Sequence, residues 1–210
     1  MPHFQNIIFD FGNVLFDLDL GATERYLRQL LGDRFEAART KLSTEEVFQR
    51  YETGMLSTAT FIEKMRHVIE PPLSEGEVLH AWQAIFIGMP REYFLLLEQL
   101  RKQYRVFLLS NINELHAQWI DNYMMEKHQL KDFRQRYFDA VYYSYEIGLR
   151  KPDERIYLHV LKDAGLDPKE TVFIDDQEVN VRAAEALGIR GILKTPETDM
   201  AELMRSFLSN

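Results

Sequence analysis

The sequence predicts an α/β protein: a parallel β-sheet covered by helices, with an all-helical segment inserted after the first strand. Three observations carry this. Across residues 88–210, short runs rich in Ile, Val, Phe and Leu alternate with stretches of helical periodicity, the pattern of parallel βαβ units. Two apolar runs near opposite ends of the chain close on aspartate, NIIFD at Asp10 and TVFID at Asp175, with Asp176 beside it. Between the first run and residue 88, every segment reads as helix.

The elements follow in order. Residues 6–11 (NIIFDF) form a short apolar run that a turn at Gly12 and Asn13 ends, as expected of a buried strand. From about Gly21 to Phe86 the period is helical. ATERYLRQLL carries apolar residues at helix spacing, and STEEVFQRYE begins with Ser43 or Thr44 as its expected N-cap, with acids in its first turn, and stops at Gly54. Ser57 opens TATFIEKMRHVI, which Pro71 and Pro72 stop, and Ser74 caps EGEVLHAWQAIF. A helical insert of roughly 65–70 residues is too long for a crossover loop. The expected division is therefore a core of residues 1–16 and 88–210 and a helical cap of residues 17–87.

After Gly88, Pro90 sits at the first turn of REYFLLLEQLRKQ. RVFLLS (105–110) reads as a strand, and a helix runs from Asn113 to about Tyr123. DAVYYS (139–144) is a strand, Asp153 to Ala164 a helix, and 171–175 a strand. VRAAEAL is a helix ended by Gly188, RGILK the last strand, and about Asp199 to Leu208 a closing helix.

Composition bounds the function. With 210 residues, 46% of them apolar and 28% charged, the chain has material for one large globular domain or two small ones. A net charge of −8 argues against nucleic acid or an anionic membrane as partner. It leaves an anionic substrate open, because a metal and a lysine neutralise a site locally. The absence of cysteine excludes disulfides, thiolate metal sites and cysteine nucleophiles. MPHFQ runs into a strand without a basic, signal-like start, and no apolar run approaches the ~20 residues that span a bilayer. The expectation is a cytoplasmic enzyme or binding protein.

Open α/β sheets place their chemistry at the carboxyl ends of their strands. Asp10 and the Asp175–Asp176 pair fall there, and LLSN (108–111) and GLRKPDERIY (148–157) add a hydroxyl and a lysine in similar settings. These four elements, in this order and with this cap position, resemble the haloacid dehalogenase superfamily. They are most similar to its Mg²⁺-dependent phosphatases, which have a Rossmann-like core and a helical cap after strand one.

The resemblance implies a role for each residue. Asp10 matches the nucleophile that forms an aspartyl-phosphate. Ser110 matches the hydroxyl that donates to the phosphoryl oxygens, with Asn111 adding a second donor. Lys151 offsets the crowded carboxylates and the substrate's charge. Asp176 and Asp10, with the backbone carbonyl of Gly12, match the Mg²⁺ ligands, while Asp175 and Asn180 hold the network in place. Three carboxylates against one lysine call for a divalent cation before a phosphate dianion can enter.

The sequence departs from its family at Gly12, where such phosphatases usually carry a general acid, help worth ~10²–10⁴-fold. Asp17, Asp19 or a cap residue are the candidate replacements. A leaving group that departs unprotonated, such as a sugar 1-phosphate or an acyl phosphate, is the other way out. The DxGNVL pattern, the acidic DxD after it, and YETGMLS and AWQAIF in the insert look like the bacterial α-D-glucose-1-phosphate phosphatase subgroup, which favours a sugar 1-phosphate. Arg50, Tyr51, Glu52, His80 and Trp82 of the insert are in a position to face the substrate, but are read as packing or surface residues. The expected function is thus a Mg²⁺-dependent phosphatase of a small phosphorylated metabolite. The rivals are a 2-haloacid dehalogenase, which the acid pair disfavours, and a phosphometabolite-binding module that has lost turnover through Gly12.

Overall fold

The computed structural model describes residues 4–208. The first strand, β1 (Asn6–Phe9), leads through a short strand β2 (Asp17–Leu18) into helices α1 (Ala22–Leu31), α2 (Phe35–Thr44), α3 (Val47–Glu52), α4 (Thr58–Arg66) and α5 (Glu75–Gln83). The chain returns through β3 (Phe86–Gly88), then α6 (Arg91–Leu100), β4 (Arg105–Ser110), α7 (Glu114–His128), α8 (Phe133–Tyr137) and β5 (Ala140–Tyr143). It finishes with α9 (Ser144–Ile147), α10 (Glu154–Ala164), β6 (Thr171–Asp175), α11 (Glu178–Ala186), β7 (Arg190–Leu193) and α12 (Met200–Leu208).

Five of these strands form one parallel sheet in the order β5-β4-β1-β6-β7. Side chains alternate between its two faces, and the packing shows it. Ile7, Phe9, Val106, Leu108, Val172 and Ile174 meet residues of α6, α7 and α12 on one side. Ile8, Phe107, Leu109 and Phe173 meet α10 and α11 on the other. A sheet covered on both faces explains why RVFLLS and TVFID are nearly unbroken apolar runs.

Helices α1 to α5 surround a core of their own, built on Leu27, Phe35, Leu42, Tyr51, Phe61 and Val78, to which Leu115 of α7 contributes. Ser57 caps α4 by accepting from Thr60 N–H at 3.2 Å. Ser74 and Glu77 form a reciprocal capping box on α5. The two chain crossings between this bundle and the sheet lie side by side, because β2 and β3 pair as an antiparallel ribbon. No described helix is long and apolar enough to cross a membrane.

Local differences have local causes. Ser43 and Thr44 do not cap a helix; they form the last turn of α2, and the break falls at Glu46, whose φ of 51° is left-handed. Helix α7 runs to His128, past the expected end near Tyr123, because Met124 continues its buried face before Gln129 turns left-handed. The ribbon β2–β3 and the short α8 carry too few residues to show a period.

Candidate active site

The sheet order brings separate parts of the sequence together. Strand β1 lies between β4 and β6, so the positions that follow or end these three strands, Asp10, Ser110 and Asp175, share one edge. Asp10 N–H donates to Ile174 carbonyl at 2.8 Å, which carries the β1–β6 ladder up to the carboxylate. Next comes a tight turn: Asn13 adopts φ 53°, a left-handed conformation asparagine tolerates well.

Lys151 is the hub. Its side chain is 1% exposed, and Nζ donates to Asp10 Oδ1 at 2.7 Å, Asp175 Oδ2 at 2.6 Å and Leu109 carbonyl at 2.9 Å. An ammonium has three donors, and all three are used. Asn111 fixes the backbone that carries it: its Nδ2 donates to Lys151 carbonyl at 2.9 Å and its Oδ1 accepts from Lys151 N–H at 2.8 Å. The sequence assigns Asn111 to the substrate; both ends of its amide instead hold Lys151, because the turn after β4 runs against the segment before α10.

Asp175 is fully engaged as well. Oδ1 accepts from Asn180 Nδ2 at 3.0 Å and Gln177 N–H at 2.8 Å, while Oδ2 accepts from Lys151 Nζ at 2.6 Å. Asp176 is half-buried and holds only weak partners, Asn13 Nδ2 at 3.4 Å and Gln177 Nε2 at 3.2 Å on Oδ2. Oxygens of Asp10, Asp175 and Asp176 all lie within 4.8 Å of one another. Burial pushes the Asp10 carboxyl up to about 7, against the pull of the Lys151 ammonium and with the push of Asp175.

These residues fit a hard divalent cation. The donors are carboxylate oxygens, the local charge is negative, and Asp176 keeps an oxygen without a protein donor among the described contacts. Asp10, Gly12, Ser110, Asn111, Lys151, Asp176 and Asn180 line one cleft of about 220 Å³.

Glu52 also lines that cleft, from the end of α3. Its carbonyl accepts from Ser144 Oγ at 2.6 Å, and its carboxylate pairs with Arg150 at 3.0 Å. Burial pushes its carboxyl up while Arg150 pulls it down, with a net rise. Asp17 and Asp19 do not line the cleft; Asp17 is exposed on β2, and Asp19 pairs with Arg25. The sequence reads Asn13 only as a turn residue and sets Glu52 aside as packing or surface, because Asp176, Ser144 and Arg150, which place them at the cleft, are distant in the chain. The E-x-G that ends an insert helix is the one local hint of Glu52.

A parallel sheet with an acid cluster on its central strand ends, crossed by an inserted helical bundle, defines a hydrolase class. The chain belongs to it: the profile of the haloacid dehalogenase-like hydrolases matches residues 4–188. It is 32% identical over 187 residues to a D-ribitol-5-phosphate phosphatase of Bacteroides thetaiotaomicron, covering 88% of each chain. A crystal structure of a HAD family enzyme from Bacteroides thetaiotaomicron superposes with a TM-score of 0.87 at 31% identity, covering 97% of this chain and 99% of that one. A complex of such an enzyme from that organism with magnesium and inorganic phosphate superposes at 0.84 with 31% identity, covering 95% and 98%.

Proposed function

We propose that the protein is a Mg²⁺-dependent phosphatase that hydrolyses a small phosphorylated metabolite through an aspartyl-phosphate on Asp10. The observation that carries this is the buried arrangement of Asp10 and Asp175 about Lys151, with Asp176 beside them. The phosphatase activity of the ribitol-phosphate relative and the magnesium and phosphate in the related crystal structure support it.

In this reading an Asp10 oxygen attacks phosphorus, the bond from phosphorus to the leaving oxygen breaks, and water then hydrolyses the acyl phosphate and restores Asp10. Lys151 orients Asp10 and favours its ionised form against the push of burial. Ser110 donates its hydroxyl to the phosphoryl group. Asp175, braced by Asn180 and Gln177, holds Lys151, and Asn111 holds the same residue from its backbone. Asp10, Asp176 and the Gly12 carbonyl would hold Mg²⁺, which neutralises the phosphate charge when bound. Residues 17–87 act as the cap that covers the cleft and excludes water.

With Gly12 in place of an acid, Glu52 is the carboxyl on the cleft wall free of the cation cluster, and it exchanges the proton of the leaving group. The finer substrate reading from the sequence, a sugar 1-phosphate, rests on Gly12 and on the motif resemblance. Turnover of p-nitrophenyl phosphate and a panel of phosphorylated metabolites, with and without EDTA, tests the reading. Activity that survives chelation, or survives Asp10→Asn, would falsify it.

A further inference from the structure

The wall of the cleft is mixed. Besides Asp10, Lys151, Asp176 and Glu52 it carries the large apolar side chains of Leu18, Leu20, Ile85, Phe86, Ile112 and Ile120. Leu20, Ile85 and His116 are shared with a second cavity of about 310 Å³ inside the helical insert. Leu27, Leu31, Phe35, Leu42 and Met65 line that cavity. At the junction Leu20 is 62% exposed, a large apolar side chain left in water beside the cleft.

The polar groups along this path already have partners. His116 Nε2 donates to Trp82 carbonyl at 2.9 Å, and its Nδ1 faces the Asn113 amide nitrogen at 3.1 Å. Trp82 Nε1 donates to Asn113 Oδ1 at 3.2 Å, and Thr23 Oγ1 to Ala81 carbonyl at 2.7 Å. Glu24 and Arg39, also on the cavity wall, pair with Arg28 at 2.7 Å and Glu36 at 3.2 Å. Among the buried side chains of this path a hydroxyl-rich group would lose its water partners with few free ones to replace them, the exposed Glu24 and Arg39 lying at the rim. A hydrocarbon would gain by leaving water.

We propose that the cavity of the insert receives the organic part of the substrate, and that the substrate is a phosphate monoester of an apolar alkyl or isoprenoid chain. This rests on the phosphatase reading above and replaces its sugar with a hydrocarbon. The phosphoryl head reaches Asp10 while the chain passes Leu20 and Ile85 into the bundle. Attack by Asp10 breaks the bond between phosphorus and the chain's oxygen, and water releases phosphate from Asp10. The chain leaves as an alcohol that takes up one proton.

The test is kcat/KM for linear alkyl phosphates from ethyl to dodecyl, each below its aggregation concentration, beside p-nitrophenyl phosphate, D-ribitol 5-phosphate and a hexose 1-phosphate. The expected profile rises about fourfold per methylene until the cavity is full, then levels. Ala38→Phe, on the cavity wall, should move the plateau to shorter chains. Alkylphosphonates should inhibit the unaltered protein with the same chain dependence, a readout that needs no variant. A flat chain-length profile with p-nitrophenyl phosphate still hydrolysed overturns the apolar tail and spares the phosphatase reading. So does a preference for the polyol or sugar phosphate over decyl phosphate. No turnover of any phosphate overturns the phosphatase reading, and chain-independent phosphonate inhibition then removes the tail as well.

Discussion

Lys151 Nζ stands 2.7 Å from Asp10 Oδ1, with the lysine 1% and the aspartate side chain 11% exposed. A charge pair this deep is sustained by mutual neutralisation, and here one ammonium serves two carboxylates, Asp175 being the second. Replacing Lys151 with Met leaves both acids buried without a cation. Breaking a buried pair in this way costs about 3–5 kcal/mol, and misplacing the Asp10 nucleophile that Lys151 orients costs ~10²-fold in kcat. Urea unfolding and kcat on p-nitrophenyl phosphate check both. A variant as stable as the parent would show that the pair contributes nothing net.

Cation binding should appear as stability as well as activity. Asp176 is half-buried, and its described hydrogen bonds are weak, so Asp176→Asn is expected to leave the metal-free protein within about 0.5 kcal/mol of the parent. Mg²⁺ at a hundredfold excess over its Kd should stabilise the parent by about 2.7 kcal/mol and leave the variant nearly unmoved. Thermal melts over a Mg²⁺ series decide it; equal stabilisation of both proteins would remove Asp176 as a ligand.

The sheet and the strand-end residues were legible because burial on both faces writes itself into the sequence. RVFLLS and TVFID are apolar throughout, and an acid or hydroxyl at their carboxyl ends has few places to be except the sheet's edge. What was illegible depends on pairing across the chain. Asn111 reads as a substrate donor until its amide is seen bonded at both ends to Lys151. Glu52 reads as one more helix-end acid until Ser144 and Arg150 draw it over the cleft. The helix break at Glu46 follows from a single left-handed residue with no glycine or proline to announce it.

Gly12 marks a chemical gap that a side chain can fill. A Cβ placed there would lie 2.7 Å from Leu18 Cδ1, the tip of a side chain that can move aside. Gly12→Asp is therefore expected to fold, and kcat on alkyl phosphates, whose leaving groups are basic, should rise by ~10²-fold. Adding Leu18→Ala should change kcat little further. Steady-state kinetics on ethyl phosphate for both variants is the measurement. A rise that appears only in the double variant would show that Leu18 cannot yield.

Glu52 is expected to separate leaving groups by basicity. Glu52→Gln keeps the size and a hydrogen bond but carries no exchangeable proton of the right acidity. Turnover of alkyl phosphates should fall by ~10²-fold, while p-nitrophenyl phosphate, whose leaving group needs little protonation, should fall far less. A plot of log kcat against leaving-group pKa steepens in the variant. Equal losses on all substrates would mean that Glu52 acts only through its bond to Arg150.

His116 sets the acid limit of stability. Asn113 Oδ1 is held by Trp82 Nε1 at 3.2 Å and His116 N–H at 3.1 Å, so the amide cannot turn, and its nitrogen points at His116 Nδ1. The neutral ring therefore accepts at Nδ1 and donates from Nε2 to Trp82 carbonyl. Burial pushes the imidazole from its usual 6.5 down to about 4, and a second proton would also face the amide's own hydrogens. The folded-state value lies below the unfolded one, so between about pH 4 and pH 6.5 the unfolded chain binds the extra proton. Stability then rises with pH across this window, is fully present above it, and falls by ~3 kcal/mol on acidification through it. His116→Gln, which keeps an amide N–H for the Trp82 carbonyl and does not titrate, should flatten that part of the curve. Chemical unfolding of both proteins from pH 4.5 to 7.5 gives the difference; parallel curves would show that His116 contributes nothing to the acid lability.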